Sequence, residues 1–365
     1  MKLETDSLVD GLEGEDRQAR QRLLERLADQ GFTQEQLQAA VAEERLVLLP
    51  VERILRGSLT AEDIEQETGV STDLLLRIRR ASGLPQADSD AQVFGPEDVE
   101  AARAVSRFLD AGFSERAVIE ITRLLGEAMA RVVTAVTASF VETFLRAGDG
   151  EDELAERFAS ATEELTPEFQ PVFSAVFKAH LLEAVERGML GATERESGQV
   201  DAGQPMAVCF VDVVGFTRLG SEVELDQLGD VATRLAEMAA EVAEAPVRLV
   251  KTIGDAAMLV SGEAGALVAA ALALLQNFEE AELPTLRAGI AWGPAVVRAG
   301  DYFGHSVNLA SRVTAIARPA SVLCTEEIHD QAGETFDWSA AGKHRFKGVK
   351  GSMALYRARP RTSES

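Results

Sequence analysis

A change of texture partway along the chain most constrains what it can fold into. Through the first 187 residues the sequence offers helix after helix. "RQRLLERLADQGFTQEQLQAAVAEERL" places apolar residues at helical spacing, with Gly31 closing one helix and Thr33 capping the next. A long helix is predicted over about 114–146 and another over about 167–187. Strand-like runs begin only after Pro205, with "MAVCFVDVV" and "VRLVK", and helices alternate with them. The interval 188–205, "GMLGATERESGQVDAGQP", is rich in glycine, serine and charge, and reads as a linker or as a helix prone to melting. The expectation is a multidomain chain: an all-α domain over 1–187, a linker over 188–205, an α+β domain over 206–358 and a short tail over 359–365.

With 365 residues and 46% hydrophobic content, each half can bury a core. The net charge of −24 disfavours nucleic acid or an anionic membrane as a partner. That charge is uneven: residues 1–200 carry 21 Lys and Arg against 39 Asp and Glu, whereas 201–365 carry 15 against 21. The less acidic second half suits an anionic ligand with cations beside it. Cys209 and Cys324 sit in apolar strand-like runs and read as core thiols, not as a disulfide framework. The polar, acidic N-terminus does not resemble a signal peptide. The most apolar uninterrupted run, Ala264 to Leu275, is too short to span a bilayer and reads as a core helix. A soluble, cytosolic protein without a membrane partner is expected.

Within the helical half, "LTAEDIEQETGVSTDLLLRIRRASGL" (59–84) has the pattern of a helix-turn-helix. With "VFGPEDVEAARAVSRFLDAGFS" after it, the segment 59–116 loosely resembles the MerR-type winged helix. Yet 59–116 holds 12 acidic and 6 basic residues, and Arg77, Arg79 and Arg80 form its one basic cluster. Phosphate contacts dominate DNA affinity, so this balance points to a packing module that reuses the shape.

Three stretches of the second half carry chemistry. In "CFVDVVGFTRL" an apolar strand ends in Asp212, ahead of Gly215-Phe216-Thr217. A carboxylate at a strand end suits a cation, and the N–H groups of a glycine turn suit phosphate oxygens, although an Asp capping a turn reads equally well. In "LVKTIGDAAMLV" Asp255 lies at the turn of a hairpin that also carries Lys251. If that hairpin pairs beside the first strand, the two carboxylates stand together, and an oxygen-only pair suits Mg²⁺ or Mn²⁺ better than Zn²⁺. Two such ions can clamp both sides of a phosphoryl displacement. In "AGDYFGHSVNLASRVTAIARP" Asn308 and Arg312 stand four apart on one helix face, and Val307, Leu309, Val313 and Ile316 are expected to point inward. Solvated surface residues are often Asn and Arg, but Arg also suits charge developing on phosphate oxygens.

"FVDVVGFT", "VKTIGDAAM" and "GDYFGHSVNLASR" together resemble the signature blocks of the class III nucleotidyl cyclase catalytic domain, in order, spacing and residue identity. The resemblance extends over roughly 204–358, including "FKGVKGSMALYR". It implies a ferredoxin-like βαββαβ core and a head-to-tail homodimer with two sites. By similarity Asp212 and Asp255, with the Val213 carbonyl, would bind two Mg²⁺ or Mn²⁺ ions. Lys251 and Asp301 would hold the purine, Asn308 would orient the ribose, and Arg312 would stabilise the pentavalent transition state. Lys347 is a candidate for the terminal phosphates, although Lys343, His344 and Arg345 crowd around it and a solvated strand explains them too.

Adenine offers an acceptor at N1 and donors at N6, which Lys251 and Asp301 complement, whereas guanine would mismatch both. ATP is therefore the expected substrate, cyclised to 3′,5′-cyclic AMP with loss of pyrophosphate. The diguanylate cyclase GG-[DE]-EF signature, the Walker A motif and the Rossmann glycine pattern are absent. The alternative is a transcription regulator whose cyclase-like domain binds ATP without turnover. The architecture resembles soluble actinobacterial adenylyl cyclases in which a helical N-terminal domain represses the catalytic domain and acid relieves it. That resemblance implies an intramolecular regulatory partner, the interval 188–205 as a switch, and a sensor among His180, His305, His329 and His344 or in the Glu-rich "EDELAERFASATEE". Phe140, Phe144, Phe169, Phe173 and Phe177 are read as core, with a lipid ligand in the helical domain as the lesser reading.

Overall fold

The computed structural model describes residues 6–186, 203–216, 225–298, 300–348 and 351–361. The interval expected to act as a switch, 188–205, lies almost wholly outside the described residues. The chain divides into two compact units, Met1–Met189 and Leu190–Ser365.

The first unit is helical, with two small cores. In one, α1 (Gly14–Asp29) buries Leu23, Leu24 and Leu27 against Leu37 and Ala40 of α2 (Gln34–Ala42), with Leu46, with Leu49 at the start of α3 (Leu49–Leu55), and with Ala155. Thr33 starts α2 with a reciprocal capping box: its hydroxyl accepts from the Gln36 N–H at 3.2 Å, and the Gln36 side chain accepts from the Thr33 N–H at 2.8 Å. In the other core, α4 (Ala61–Thr68) and α5 (Thr72–Ala81) meet at a turn in which Gly69 adopts φ +75°. They bury Ile64, Leu74 and Leu75 against Phe94 and against Val99 of α6 (Pro96–Asp110). Two members of the basic cluster of this helix-turn-helix are engaged internally. Arg77 donates to Asp73 at 3.3 Å and to Glu115 at 2.9 Å, and Arg79 lies 5.5 Å over the Phe94 ring.

Three long helices follow: α7 (Glu115–Phe144), α8 (Glu151–Leu165) and α9 (Phe169–Glu186). Helix α8 is tied to α1 by Arg20–Glu151, Arg22–Asp152 and Arg26–Glu156; the last two pairs share the same four-residue step on both helices. One expectation is corrected here. Phe140 does pack edge-on against Phe158, but Phe173 and Phe177 are 39% and 68% exposed, and α9 buries none of its residues. Apolar residues surround α9 on all sides, so no single stripe turns inward. In addition, α7 is long and apolar enough to cross a membrane by length and composition, with a window of mean hydropathy 1.4 and none of that window buried. Glu127 and Arg131 interrupt the uninterrupted run that a simple count looks for.

The second unit is one sheet with helices on both faces. Its elements are β1 (Gln204–Val213), α10 (Leu225–Glu241), β2 (Val247–Ile253), β3 (Ala256–Ser261), α11 (Ala264–Glu280), β4 (Leu286–Arg298), β5 (Asp301–Phe303), α12 (His305–Ile316), β6 (Ser321–Thr325), α13 (Glu326–Ala332), β7 (Phe336–His344) and β8 (Met353–Pro360). The sheet runs β2-β3-β1-β4-β6-β8-β7, with β5 paired to the far end of β4. The antiparallel set β2-β3-β1-β4, with α10 and α11, is the ferredoxin-like βαββαβ core; β6 extends it parallel to β4.

Strand alternation assigns the faces. Along β1, Ala207, Cys209, Val211 and Val213 pack with α10, α11 and α13, whereas Val208 and Phe210 pack toward Leu309, Ala310 and Val313 of α12. Asp212 has the parity of the second set and so ends β1 on the α12 face. Both thiols are free and buried. Ile316, expected to point inward, is 42% exposed because it ends the helix beyond its buried stripe.

Candidate active site

The register of the core brings the two carboxylates together. Asp212 lies opposite Ala256 of β3 on one side and Arg287 of β4 on the other. The turn between β2 and β3, with Gly254 at φ +57°, folds over the end of β1, and the Val213 N–H donates to the Asp255 carbonyl at 3.0 Å. Desolvation, and then the neighbouring Asp212 charge, hold the Asp255 carboxyl above its ordinary value. Two acidic groups confined in this way favour a cation between them.

Sequence reasoning missed Arg287. Its Nε and Nη2 donate to Asp212 Oδ2 at 2.8 and 2.6 Å, and its Nη1 donates to the Ala315 carbonyl at 3.2 Å. One signal was available, a charge one residue into the apolar strand "LRAGIAW". The pairing that sets it against Asp212 depends on register, which the local sequence does not give. Among the described residues no group of three or more His, Cys, Asp or Glu side chains gathers to hold a metal. An oxygen-only pair of carboxylates fits Mg²⁺ or Mn²⁺, which are commonly bound by one or two carboxylates plus substrate phosphates and water.

Beyond β1, Gly215 takes φ +74°, and Phe216 packs against the α10–α11 core. The Val214 N–H donates to the Thr285 carbonyl at 2.8 Å, so this amide of the turn is already engaged. Thr217 lies outside the described residues.

Lys251 and Asp301 come together in a direct ion pair, part-buried on both sides. The other Asp301 oxygen accepts from the Tyr302 N–H at 2.8 Å. Lys251 is on β2 and Asp301 on β5, which are not neighbours in the sheet.

Helix α12 carries Asn308 and Arg312 and is seated firmly at its start. Ser306, fully buried, donates to the Pro294 carbonyl at 3.1 Å, and a Cβ on Gly304 would lie 2.5 Å from that same oxygen. The Asn308 side chain is exposed, and its amide donates to the Gly304 carbonyl at 3.3 Å. Arg312 donates to the Lys347 carbonyl. Lys347 lies in the loop after β7, not within a strand, and its side chain is exposed. Among the described residues no hydrogen bond or ion pair joins the three groups Asp212–Asp255, Lys251–Asp301 and Arg312–Lys347.

A ferredoxin-like core with paired carboxylates at a strand end, a Lys–Asp pair and a helix bearing Asn and Arg defines a nucleotidyl cyclase unit. Comparison with known proteins agrees. Residues 1–185 match the adenylate cyclase regulatory domain, and residues 199–359 match the adenylate and guanylate cyclase catalytic domain. The pH-sensitive adenylate cyclase MT1302 of Mycobacterium tuberculosis is 35% identical over 97% of this chain and 91% of its own length. An adenylate cyclase of Streptomyces coelicolor is 33% identical over 76% of this chain and 72% of its own. The catalytic core of a rhodopsin-guanylyl cyclase of converted specificity, crystallised with ATPαS, is 25% identical over 44% of this chain and 98% of its own, with a TM-score of 0.41. The chain belongs to the adenylate cyclases in which a helical regulatory domain precedes the cyclase catalytic domain.

Proposed function

We propose that this chain cyclises ATP to 3′,5′-cyclic AMP and pyrophosphate at two sites shared between the protomers of a head-to-tail homodimer. The observation that carries the reading is the Lys251–Asp301 pair, which offers one donor and one acceptor at the edge where adenine presents N1 and N6. A guanine there would leave both groups facing the wrong partner, which is costly where bound base shields them from water.

Asp212, Asp255 and the Val213 carbonyl would hold two divalent ions, Mg²⁺ or Mn²⁺. Such ions, when bound, would supply a lowered pKa for the ribose 3′-hydroxyl and an offset to the triphosphate charge. The chain's own residues mainly position and stabilise. Asn308 holds the ribose so that the 3′-oxygen faces the α-phosphorus. The Arg312 guanidinium meets the negative charge that builds on the equatorial oxygens, and Lys347 and the Gly215-Phe216-Thr217 turn receive the terminal phosphates. Arg287 holds the Asp212 carboxylate in place.

Among the described residues no hydrogen bond or ion pair joins the three residue groups within one chain, and this favours a site completed by a second copy. Ile253, Val297 and Phe303, close in sequence to the Lys251–Asp301 pair, are each more than half exposed and supply apolar surface for that contact. A site assembled across an interface is readily gated by anything that shifts the protomers. We assign that role to the helical unit, with 188–205 as its two-state element and acid as its signal; similarity to a pH-sensitive relative along nearly the whole chain supports it.

The test is a cyclase assay with ATP and GTP in Mn²⁺, using the full chain and a form lacking residues 1–200, across pH 5.5–8. Cyclic AMP from ATP, little product from GTP, and higher activity with a flatter pH profile after truncation are expected. If wild type yields no cyclic AMP, the enzymatic reading fails; if truncation leaves the profile unchanged, only the gating fails.

A further inference from the structure

We infer that Arg248 and Tyr302 form a positioning pair that fixes the separation of Lys251 and Asp301 and thereby sets base selectivity; this rests on the adenine reading above. The argument starts from strand periodicity. In a regular strand, residues three apart point to opposite faces, so Arg248 and Lys251 would not work together. Strand β2 is not regular. Arg248 pairs with Val260 and Leu249 with Leu259, but Lys251 pairs with Met258, so Val250 is an extra residue. Val260 and Met258 are two apart on β3 and both pack on the α12 face. The bulge therefore returns Lys251 to the face that Arg248 already occupies, the re-aiming for which such bulges are used.

On that face both side chains meet the same short strand. The Arg248 guanidinium lies 5.0 Å from the centre of the Tyr302 ring, and its Nη2 donates to the Tyr302 hydroxyl. Lys251 pairs with the adjacent Asp301. Tyr302 is buried, and its N–H fixes the second Asp301 oxygen at 2.8 Å. Because β5 hydrogen-bonds to β4 and not to β2, no shared ladder sets the Lys251-to-Asp301 spacing. Two side-chain links do so instead. Only one of them has groups that a purine edge would engage, so when base binds and draws on Lys251 and Asp301, Arg248–Tyr302 is the link left to hold the two strands at a fixed distance.

The experiment measures kcat and KM for ATP and GTP on the full chain, with Tyr302→Phe, Arg248→Met, Arg248→Lys, the double variant Arg248→Met/Tyr302→Phe, and Lys251→Ala as reference. Tyr302→Phe keeps the buried ring and so keeps the fold. Loss of a hydrogen bond to a charged group predicts a rise in KM for ATP of about tenfold, and a similar fall in the ATP-to-GTP ratio of kcat/KM, with kcat changing less. The double variant should be no worse than either single one, because both remove the same link. Arg248→Lys should restore less than half of the effect, since it keeps charge but not the planar stack. A matched fall in kcat with an unaltered ATP-to-GTP ratio would reduce the pair to a structural contact and overturn the inference. If Lys251→Ala also leaves that ratio unaltered, the adenine reading itself falls; if Lys251→Ala changes it while the Arg248 and Tyr302 variants do not, only the positioning role falls.

Discussion

Helix α12 carries both residues proposed to act on the reacting atoms, and its seat on the sheet is one backbone wide. Gly289 of β4 faces Thr314, and a Cβ placed there would lie 2.2 Å from the Thr314 backbone nitrogen and 2.6 Å from its hydroxyl oxygen. Ordinary contact begins near 3.5 Å, so Gly289→Ala must separate helix and strand by roughly 1 Å. Neither side yields easily. Thr314 is buried and its hydroxyl bonds the carbonyls of Phe210 and Ala310, while Gly289 is locked between β1 and β6. Overpacking of this kind costs about 1–3 kcal/mol, and for a unit of this size each kcal/mol lowers Tm by roughly 2–4 °C. The functional loss should be larger. A displacement of about 1 Å at positions that must meet a transition state costs on the order of 10²-fold in rate, and Asn308 and Arg312 move with the helix. The assay is cyclic AMP formation at saturating ATP together with a thermal melt, with Gly262→Ala as control, because a Cβ there meets nothing within 4 Å. If Gly289→Ala keeps kcat within about twofold of wild type and its Tm, the helix seat does not govern the site.

Asn308→Ala and Arg312→Ala should retain ATP binding by calorimetry yet lose cyclisation by about 10² or more, as expected for groups that act in the transition state; loss of binding in step with turnover would contradict those roles. Asp255 is held above its ordinary value, so the metal-free folded chain takes up its proton at higher pH than the unfolded chain does. Its contribution favours the fold at low pH and is lost as pH rises through the folded value. Asp212→Asn removes one cause of that shift and should weaken this slope in metal-free unfolding titrations, while a steeper slope would refute the coupling. Asp149 and Asp152 behave oppositely, since Arg157 and Arg22 hold their carboxyls below the ordinary value. Their contribution is fully present above about pH 4 and is lost only as pH falls below it. Melting of the helical unit should therefore show no step from these pairs between pH 8 and 5.5. A step in that range abolished by Arg22→Ala or Arg157→Ala would make them the acid sensor after all.

Much of the candidate site is legible because its residues stand in local patterns. An apolar run ending in Asp212, a hairpin turn holding Asp255, and an i,i+4 Asn–Arg pair each declare an element and a position on it. The partners that hold these residues were not legible. Arg287 meets Asp212 across a strand pairing separated by 75 positions, and Arg248 meets Tyr302 across 54. The Val250 bulge, which decides the facing of Lys251, leaves no mark in a run of apolar residues broken by two charges. The outward apolar surface of α9 was misread for a related reason. Periodicity says which residues share a face, but a helix apolar on every side has no face to choose, and nothing local tells whether a partner covers it.

The division into a helical and a sheet-bearing half and the core stripes of most elements follow from side-chain type and from periods of 2 and 3.6 residues, and the residues proposed for the site are read from the same patterns. Tertiary structure alone decided register, and register decided the rest: which face Asp212 ends on, that Arg287 pairs with it, that Lys251 turns toward Asp301, and that α12 rests on a glycine. A one-residue slip in any of these pairings would carry every side chain of the strand to the opposite face, and only the packing of the whole sheet forbids it.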